Sequence, residues 1–335
     1  MVTMKALVTG ATGFLGGNLI RRLLEEGYEV TAVGRNPEAG KRLTQEGAGF
    51  VRMDLASDDM SDAVRGHELV FHCGAMSSPW GAYRDFYTSN VVGTRQIIRG
   101  CMKHGVRRLV NVSTPSIYFD YRDRLGISEE EPLPRRGVNA YAQTKRQAES
   151  ELDAAVRKAG LPVITIRPRG LFGPGDTAIF PRLLRANEEK FVPVFGGGRA
   201  FMDVTYVDNV TEALLCCARA GKACDGQKYN ITNGEPVYVY ELLAELFRLL
   251  EMPFRARKVP YPAAYGAAAA MEAFAALPFA RKEPMLTRYT VALLAFSQTL
   301  DISKAERELG YKPRVSVADG IRRFSLWWRE QEGRA

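Results

Sequence analysis

Two residues on one predicted helix have side chains that could together transfer a proton. Tyr141 and Lys145 are four residues apart, a spacing that places both on the same face of a helix. A tyrosine with its ordinary pKa of about 10 is a poor base at neutral pH, so it needs a nearby ammonium to stabilise the phenolate. Thr114, 27 residues earlier at the end of a predicted strand, could hydrogen-bond a substrate oxygen. These three residues predict acid–base chemistry at a substrate hydroxyl or carbonyl group.

A glycine-rich segment near the amino terminus predicts a binding site for a dinucleotide. The residues Thr9-Gly10-Ala11-Thr12-Gly13-Phe14-Leu15-Gly16 lie between a short apolar run and an amphipathic helical pattern. Gly10 would allow a tight turn, Gly13 a close approach of the backbone to a diphosphate, and Gly16 close packing of helix on strand. Cofactor contacts are therefore expected at Gly10, Thr12, Gly13, Phe14, Leu15 and Gly16.

The end of the second predicted strand predicts which dinucleotide is bound. Where a carboxylate would bind the ribose hydroxyls of NAD, this chain has Gly34-Arg35-Asn36. A guanidinium can pair with a 2′-phosphate, so Arg35 favours NADP(H), with NAD(H) as the alternative. Asp54 and Leu55 are expected near the adenine, and Cys73, Gly74 and Ala75 against the ribose and pyrophosphate. His72 lies in an apolar run and is expected in the core.

These residues would be positioned by strands that alternate with helices. Six short apolar strands, separated by intervals of helical length, predict an α/β fold: a Rossmann-type, doubly wound parallel sheet with a smaller C-terminal substrate lobe. The first domain is expected to span residues 1–169, with 203–232 returning to it, and the lobe residues 170–202 and 233–335. The six strands are predicted around residues 6–8, 29–33, 50–53, 69–72, 109–112 and 163–166.

Composition limits the class of protein further. The net charge is +8 and the pI about 9.2, but the basic residues are scattered, so no nucleic-acid surface is expected. Five cysteines and three histidines show no metal-ligand spacing, and no metal is expected. No signal peptide is recognisable, and a cytoplasmic protein is expected. The apolar, Ala-rich residues 263–279 predict a helix. This helix is expected to line an apolar pocket, to lie on a membrane surface or to be an ordinary helix packed against the rest of the fold.

Several motifs together resemble an extended short-chain dehydrogenase/reductase over nearly the whole chain. Within that superfamily, the segments 79–81 and 286–289 and the Ala-rich stretch are similar to the 3β-hydroxysteroid dehydrogenase branch, including bacterial members that act on 2-alkyl-3-keto acids. The resemblance implies Thr114, Tyr141 and Lys145 as catalytic residues and a homodimer through helices at 84–104 and 140–158. It also implies four further residues at the cofactor site: Asn90 as support for the active-site helix, and Pro168, Gly170 and Leu171 as a wall of the nicotinamide pocket. The motifs are TGATGFLG at 9–16, NVVGT at 90–94, ST at 113–114, YAQTK at 141–145, RPRGLFGPGD at 167–176 and FMDVTYVDNV at 201–210.

Two departures from the family pattern restrict the chemistry. Thr114 replaces the usual serine and keeps the hydroxyl, so catalysis should survive. Pro115 stands where sugar-nucleotide dehydratases carry an acidic pair, which argues against dehydration.

The sequence thus predicts an NAD(P)(H)-dependent oxidoreductase that interconverts a secondary alcohol and a ketone. Its substrate is expected to be bulky and apolar, 3β-hydroxysteroid-like or a 3-hydroxy/3-keto acid, selected by residues 261–296. One alternative is a sugar-nucleotide 4-epimerase, for which Arg182, Arg185 and Arg199 would contact a diphosphate. A second alternative is a non-catalytic, cofactor-sensing protein.

Overall fold

The secondary structure alternates between strands and helices through the first half of the chain. A computed structural model describes residues 3–277, 283–331 and 333. The strands are β1 Lys5–Thr9, β2 Glu29–Gly34, β3 Gly49–Arg52, β4 Leu69–His72, β5 Arg108–Val112, β6 Arg124–Ile127, β7 Val163–Pro168, β8 Leu171–Phe172, β9 Val192–Val194, β10 Phe201–Met202, β11 Thr205–Tyr206, β12 Lys228–Ile231, β13 Val237–Tyr238, β14 Ala256–Lys258 and β15 Gln298–Leu300. The α-helices are α1 Phe14–Glu25, α2 Pro37–Gln45, α3 Tyr83–Phe86, α4 Gly93–His104, α5 Ala140–Ala159, α6 Phe180–Glu189, α7 Val207–Arg219, α8 Val239–Leu249, α9 Tyr261–Ala275, α10 Arg288–Ala295, α11 Ser303–Leu309 and α12 Val317–Gln331.

The central sheet confirms the predicted fold class. Seven parallel strands pair in the order β12-β7-β5-β4-β1-β2-β3. The strand order reverses at β1, so the crevice beside the carboxyl ends of β1 and β4 is the expected ligand site of such a sheet. The glycine-rich segment follows β1 directly and therefore lies at this crevice.

Helices cover both faces of this sheet, because successive strand residues point in opposite directions. Val8 packs into one core with Leu19 of α1 and Leu214 of α7. Its neighbour Leu7 packs into the opposite core, which includes Ile97 of α4. A strand that is buried on both faces is a continuous run of apolar residues in the sequence. Most of these strands could therefore be predicted.

The third strand differs from its prediction. The apolar run at residues 50–53 is typical of a buried strand, but β3 is the edge strand of the sheet and is largely exposed, including Val51 at 38%. Among the described residues it pairs with β2 alone, so one side of its backbone has no neighbouring strand there. Its β-branched and aromatic residues are typical of a strand in any position, and they do not distinguish an edge from a centre.

A second lobe is built around smaller sheets and its own core. A four-stranded sheet in this lobe has the order β13-β10-β15-β6. The core of the lobe includes Phe180, Leu243 and Phe324. The predicted domain bounds stay a prediction, and two contacts cross them. β6 belongs by sequence to the predicted first domain but pairs with β15, and Tyr311, beyond α11, packs into the core of the large sheet.

The Ala-rich segment forms helix α9, which packs through one face. Ala264 and Ala268 are buried against Phe195 and Val291, while Phe274 on the same helix is 62% exposed. The end of the predicted segment, residues 278 and 279, lies outside the described residues. Among the helices that the structure describes, none is long and apolar enough to cross a membrane.

The helix that precedes β5 is interrupted by a π-helical segment. α3 continues into a π-helix over Tyr87–Val92, and this continues into α4. The helix contacts α5 along its length, as where the Tyr83 hydroxyl donates to Gln147 Oε1 at 2.9 Å. The homodimer predicted through these helices stays a prediction.

Candidate active site

A cavity of about 780 Å³ lies at the carboxyl ends of the central strands and extends into the second lobe. Its volume is in the range of small-molecule and cofactor sites. Every predicted catalytic or cofactor-binding residue except Asn90 lines it: Gly10, Thr12, Gly13, Phe14, Leu15, Gly16, Arg35, Asp54, Leu55, Cys73, Gly74, Ala75, Thr114, Tyr141, Lys145, Pro168, Gly170 and Leu171.

The turn between β1 and α1 has room for backbone but not for side chains. Gly10 has φ +67°, and a Cβ there would lie 2.6 Å from the Cα of Gly74. A Cβ on Gly16 would lie 2.3 Å from the carbonyl oxygen of Gly10. The N–H of Gly13 donates to the same oxygen at 3.0 Å and closes the turn. The turn into α1 therefore presents backbone without side chains at Gly10, Gly13 and Gly16, a cradle that fits a diphosphate at a helix N-terminus.

The end of the cavity beside β2 is equally close-packed and carries one exposed cation. A Cβ on Gly34 would lie 2.8 Å from Thr12 Cγ2. The next residue, Arg35, is 77% exposed, and its guanidinium lies 3.7 Å from Asp54 Oδ2. An exposed ion pair at this distance contributes little, so the guanidinium can turn to an anionic ligand at low cost.

The predicted catalytic residues lie together at the end of the cofactor crevice that is opposite Arg35. Asn139 caps α5 by accepting from the N–H of Ala142 at 2.8 Å, so the helix begins just before Tyr141 and aims its first turn at the cavity. Burial raises the pKa of Tyr141 to about 12, and a hydrogen bond with Thr114 offsets part of that rise. Tyr141 is therefore a neutral phenol at neutral pH, hydrogen-bonded with Thr114.

Lys145, which is expected to stabilise a Tyr141 phenolate, contacts the backbone at the end of β5. Its ammonium donates to the carbonyl oxygen of Val112 at 2.7 Å. Burial lowers the pKa of Lys145 to about 8, although the charge of Glu149 raises it. The lysine is thus held at the end of β5, and it lines the same cavity as Tyr141.

Asn90 does not line the cavity, so the structure does not place it among the cofactor contacts. Its Nδ2 donates to Met76 O and to Thr144 Oγ1, both at 3.1 Å, and its Oδ1 accepts from the Met76 N–H at 2.7 Å. The bond to Thr144 joins the π-helical segment to the first turn of α5. This geometry agrees with the supporting role that the family resemblance implies.

His72 is in the core, as expected from its apolar surroundings. Both ring nitrogens bond threonine hydroxyls, Thr9 Oγ1 at 2.8 Å and Thr94 Oγ1 at 3.1 Å. Burial lowers the pKa of His72 to about 3, so the ring is neutral. Within residues 3–277, 283–331 and 333, no three His, Cys, Asp or Glu side chains are grouped so as to hold a metal ion.

Among the polar lining residues that were not predicted as site residues are Ser116, Arg169 and Tyr289. Ser116 Oγ accepts from Thr114 Oγ1 at 3.0 Å and lies 2.6 Å from the hydroxyl oxygen of Tyr289. Ser116 follows the motif at 113–114 and Arg169 lies within the motif at 167–176, so their positions gave a signal. Tyr289 lies in the segment 286–289 that the family resemblance includes, but only the fold brings it beside Ser116.

The half of the cavity in the second lobe is mainly apolar. The predicted selection region, residues 261–296, contributes through α10, but α9 adds no residue to this cavity. Helices α6 and α8 contribute instead. The apolar residues from these three helices are Ile179 and Phe180 at the start of α6, Leu183, Val239, Leu242, Leu243, Leu293 and Leu294.

The arginines proposed for a sugar-nucleotide diphosphate are not assembled at this cavity. Arg185 and Arg199 are exposed and do not line it. Arg182 does line it, but its guanidinium lies 3.1 Å from Glu283 Oε1. The three arginines therefore do not together form a diphosphate site at this cavity.

Comparison with known proteins identifies a family, named relatives and solved structures that are similar to this chain. Residues 6–232 match the model of the NAD dependent epimerase/dehydratase family. The chain is 37% identical to a 2-alkyl-3-oxoalkanoate reductase of Stenotrophomonas maltophilia over 96% of this chain and 98% of that protein. It is 34% identical to 3beta-hydroxysteroid-dehydrogenase/decarboxylase isoform 1 of Arabidopsis thaliana, over 95% of this chain and 78% of that protein. The crystal structure of a UDP-glucuronic acid 4-epimerase from Bacillus cereus superimposes with a TM-score of 0.79 at 22% identity, covering 98% of this chain and 100% of that one, which shows a shared fold.

Proposed function

The chain is an NAD-dependent oxidoreductase of the NAD dependent epimerase/dehydratase family, and we propose that it reduces the ketone of a bulky, largely apolar substrate to a secondary alcohol. One observation carries the proposal: Thr114, Tyr141 and Lys145 lie between the bare glycine turn and the apolar wall of one continuous cavity. A ketone between those two regions would meet the phenol and the threonine hydroxyl.

The side chains at this position suit reduction. A bound nicotinamide cofactor would supply a hydride to the carbonyl carbon of the ketone. The Thr114 hydroxyl would hold the carbonyl oxygen, and the neutral phenol of Tyr141 would give that oxygen its proton. Because the pKa of Tyr141 is about 12, the phenol keeps this proton throughout the neutral pH range. Lys145 would place a positive charge near the tyrosine as its proton leaves.

The apolar wall and the names of the relatives together suggest the substrate class. The Stenotrophomonas maltophilia relative is named for 2-alkyl-3-oxoalkanoates, and the Arabidopsis thaliana relative for 3β-hydroxysteroids. Both substrates have a ketone or hydroxyl on a large hydrocarbon body. We therefore propose 3-oxo acids with long alkyl chains, or steroid-like ketones, as the substrates of this chain.

A substrate screen tests the proposed function. With NADPH or NADH, we expect loss of absorbance at the reduced-nicotinamide band with long-chain 2-alkyl-3-oxo acids or 3-ketosteroids. UDP-sugars should neither be epimerised nor raise the melting temperature. A cofactor that copurifies and is never released, together with epimerisation of a UDP-sugar, would contradict the proposal and favour the epimerase alternative.

The exposed Arg35 supports a preference for NADP(H) over NAD(H). We expect Arg35→Ser to weaken NADP⁺ binding by about 10- to 100-fold, since a charge-assisted hydrogen bond contributes about 1.5–3 kcal/mol. Binding of NAD⁺, which lacks the 2′-phosphate, should change little. Isothermal titration calorimetry with both nucleotides measures the two affinities.

A matched control for Arg35 is available in the next helix. Arg42 is also exposed but does not line the cavity, so Arg42→Ser should leave both affinities unchanged. If Arg35→Ser weakened the binding of NAD⁺ and of NADP⁺ equally, the guanidinium would not be binding the 2′-phosphate.

A further inference from the structure

Arg169 is a buried cation at the wall of the cavity. It follows the last residue of β7, so it lies at the carboxyl edge of the central sheet, and its side chain is 6% exposed. Its backbone is fixed on both sides, because its N–H donates to Ile231 O at 3.1 Å and its carbonyl oxygen accepts from Thr205 Oγ1. The position of the guanidinium is therefore set by the sheet.

Comparison with the other buried arginines shows that Arg169 has no anionic partner. Three arginines are buried among the described residues. Arg108 pairs with Asp225 at 2.7 Å, and Arg167 pairs with Glu149 at 2.5 Å. Arg169 forms no ion pair within the described part of the chain, and its Nε has no hydrogen-bond acceptor. A buried charge without a counterion is costly, so it points to an anion that the chain itself does not supply.

The nearest groups explain how the cation is kept in place without being neutralised. Its Nη1 donates to Gln298 Oε1, a neutral acceptor on β15. Burial lowers the pKa of Arg169, although the charge of Asp203 raises it. Asp203 itself is held by the N–H of Leu300 at 2.7 Å and is not within ion-pair distance of the guanidinium. The guanidinium thus keeps both its charge and a free N–H.

A row of hydroxyls connects the expected carbonyl position with this cation. Thr114 Oγ1, the expected carbonyl contact, is 3.0 Å from Ser116 Oγ, which is 2.6 Å from the hydroxyl oxygen of Tyr289. The positive charge of Arg169 acts on Tyr289. A ligand with two oxygen-bearing groups one carbon apart could therefore bind Thr114 with the first and reach Ser116, Tyr289 and Arg169 with the second.

We propose that Arg169, together with Ser116 and Tyr289, forms a subsite for a substrate carboxylate one carbon away from the reacting ketone. The inference rests on the proposed function and narrows its substrates to 3-oxo acids. A carboxylate is balanced by a single guanidinium, and it can accept from the free Nε–H and from neighbouring hydroxyls. A phosphate, with up to two charges, would need a second cation, but the other buried cation at this end, Lys145, donates to Val112 O.

A matched pair of substrates tests the subsite. The stable 2-alkyl-3-hydroxy acid and its methyl ester differ only in the charge at the position that Arg169 would bind. Each is oxidised with NADP⁺ to give kcat/KM, and each is titrated calorimetrically into protein saturated with NADPH, where no turnover occurs. We expect the acid to bind more tightly than the ester, and Arg169→Gln to weaken acid binding and lower kcat/KM for the acid by about 10- to 100-fold. The ester values should change less than about 3-fold.

Two further variants separate recognition from a structural role. Arg169→Lys keeps the charge and should retain part of the preference for the acid. Arg185→Gln removes an exposed arginine that does not line the cavity and should change nothing. The subsite would be overturned if Arg169→Gln lowered affinity and kcat/KM equally for the acid and the ester. It would also be overturned if the unmodified protein bound the acid no more tightly than the ester. If neither compound is oxidised but the acid still binds through Arg169, the proposed function fails and the subsite stands.

Discussion

Tyr141→Phe is expected to reduce kcat/KM for ketone reduction by about 10²- to 10⁴-fold, the usual contribution of a positioned general acid. The substitution removes the one phenol proton that the geometry places beside Thr114 and leaves the ring to fill the same space. The measurement is the initial rate of NADPH oxidation with a substrate identified in the screen.

Two results must accompany this loss if the proton is its cause. The affinity for NADP⁺ should change little, because the phenol would act on the substrate oxygen. Tyr83→Phe is the matched control, since Tyr83 also donates to a residue of α5, Gln147, but does not line the cavity. Full activity of Tyr141→Phe would show that another group supplies the proton.

Gly16→Ala is expected to cause the second large effect, on stability and cofactor binding together. The new Cβ would lie 2.3 Å from the carbonyl oxygen of Gly10, a backbone atom that cannot rotate away. The start of α1 must then move away from β1, which should cost about 1–3 kcal/mol of unfolding free energy. The same movement displaces the backbone that faces the cavity, so NADP⁺ affinity should fall by at least about 10-fold.

The next residue of the same helix provides the control for that prediction. A Cβ on Gly17 would lie 3.6 Å from the carbonyl oxygen of Ala11, an ordinary contact. Gly17→Ala should therefore keep the cofactor affinity and stabilise the protein by about 0.4–1 kcal/mol, because alanine restricts the unfolded chain. Chemical denaturation and calorimetry measure both quantities, and equal behaviour of the two variants would contradict the proposed packing role of Gly16.

The parts of the fold that the sequence predicted well are those set by local patterns. The strands that carry the site are buried on both faces, so their apolar runs stand out, and the glycine segment has a spacing that few other structures require. The edge position of β3 and the pairing of β6 with β15 depend on distant neighbours, and no local pattern encodes them.

The same distinction applies to the site residues. That Thr114, Tyr141 and Lys145 line one cavity could be predicted from their spacing and from the motifs around them. Arg169 lies within the motif at 167–176, but the sequence could not show that its guanidinium has no acidic partner among the described residues. Tyr289 could not be placed beside Ser116 either, since 173 residues separate them in the chain.

The π-helical segment Tyr87–Val92 changes the angular phase of the helix that contains it. A π turn holds about one residue more than an α turn, so the side chains before and after it are offset by roughly 100° from a continuous α-helix. This offset lets Asn90 reach Thr144 while α4 still packs on α5. Loss of one residue here would leave a continuous α-helix, but the side-chain amide of Asn90 would then point away from Thr144. The length of this segment, more than its composition, therefore sets the alignment of the first turn of α5, where Tyr141 lies.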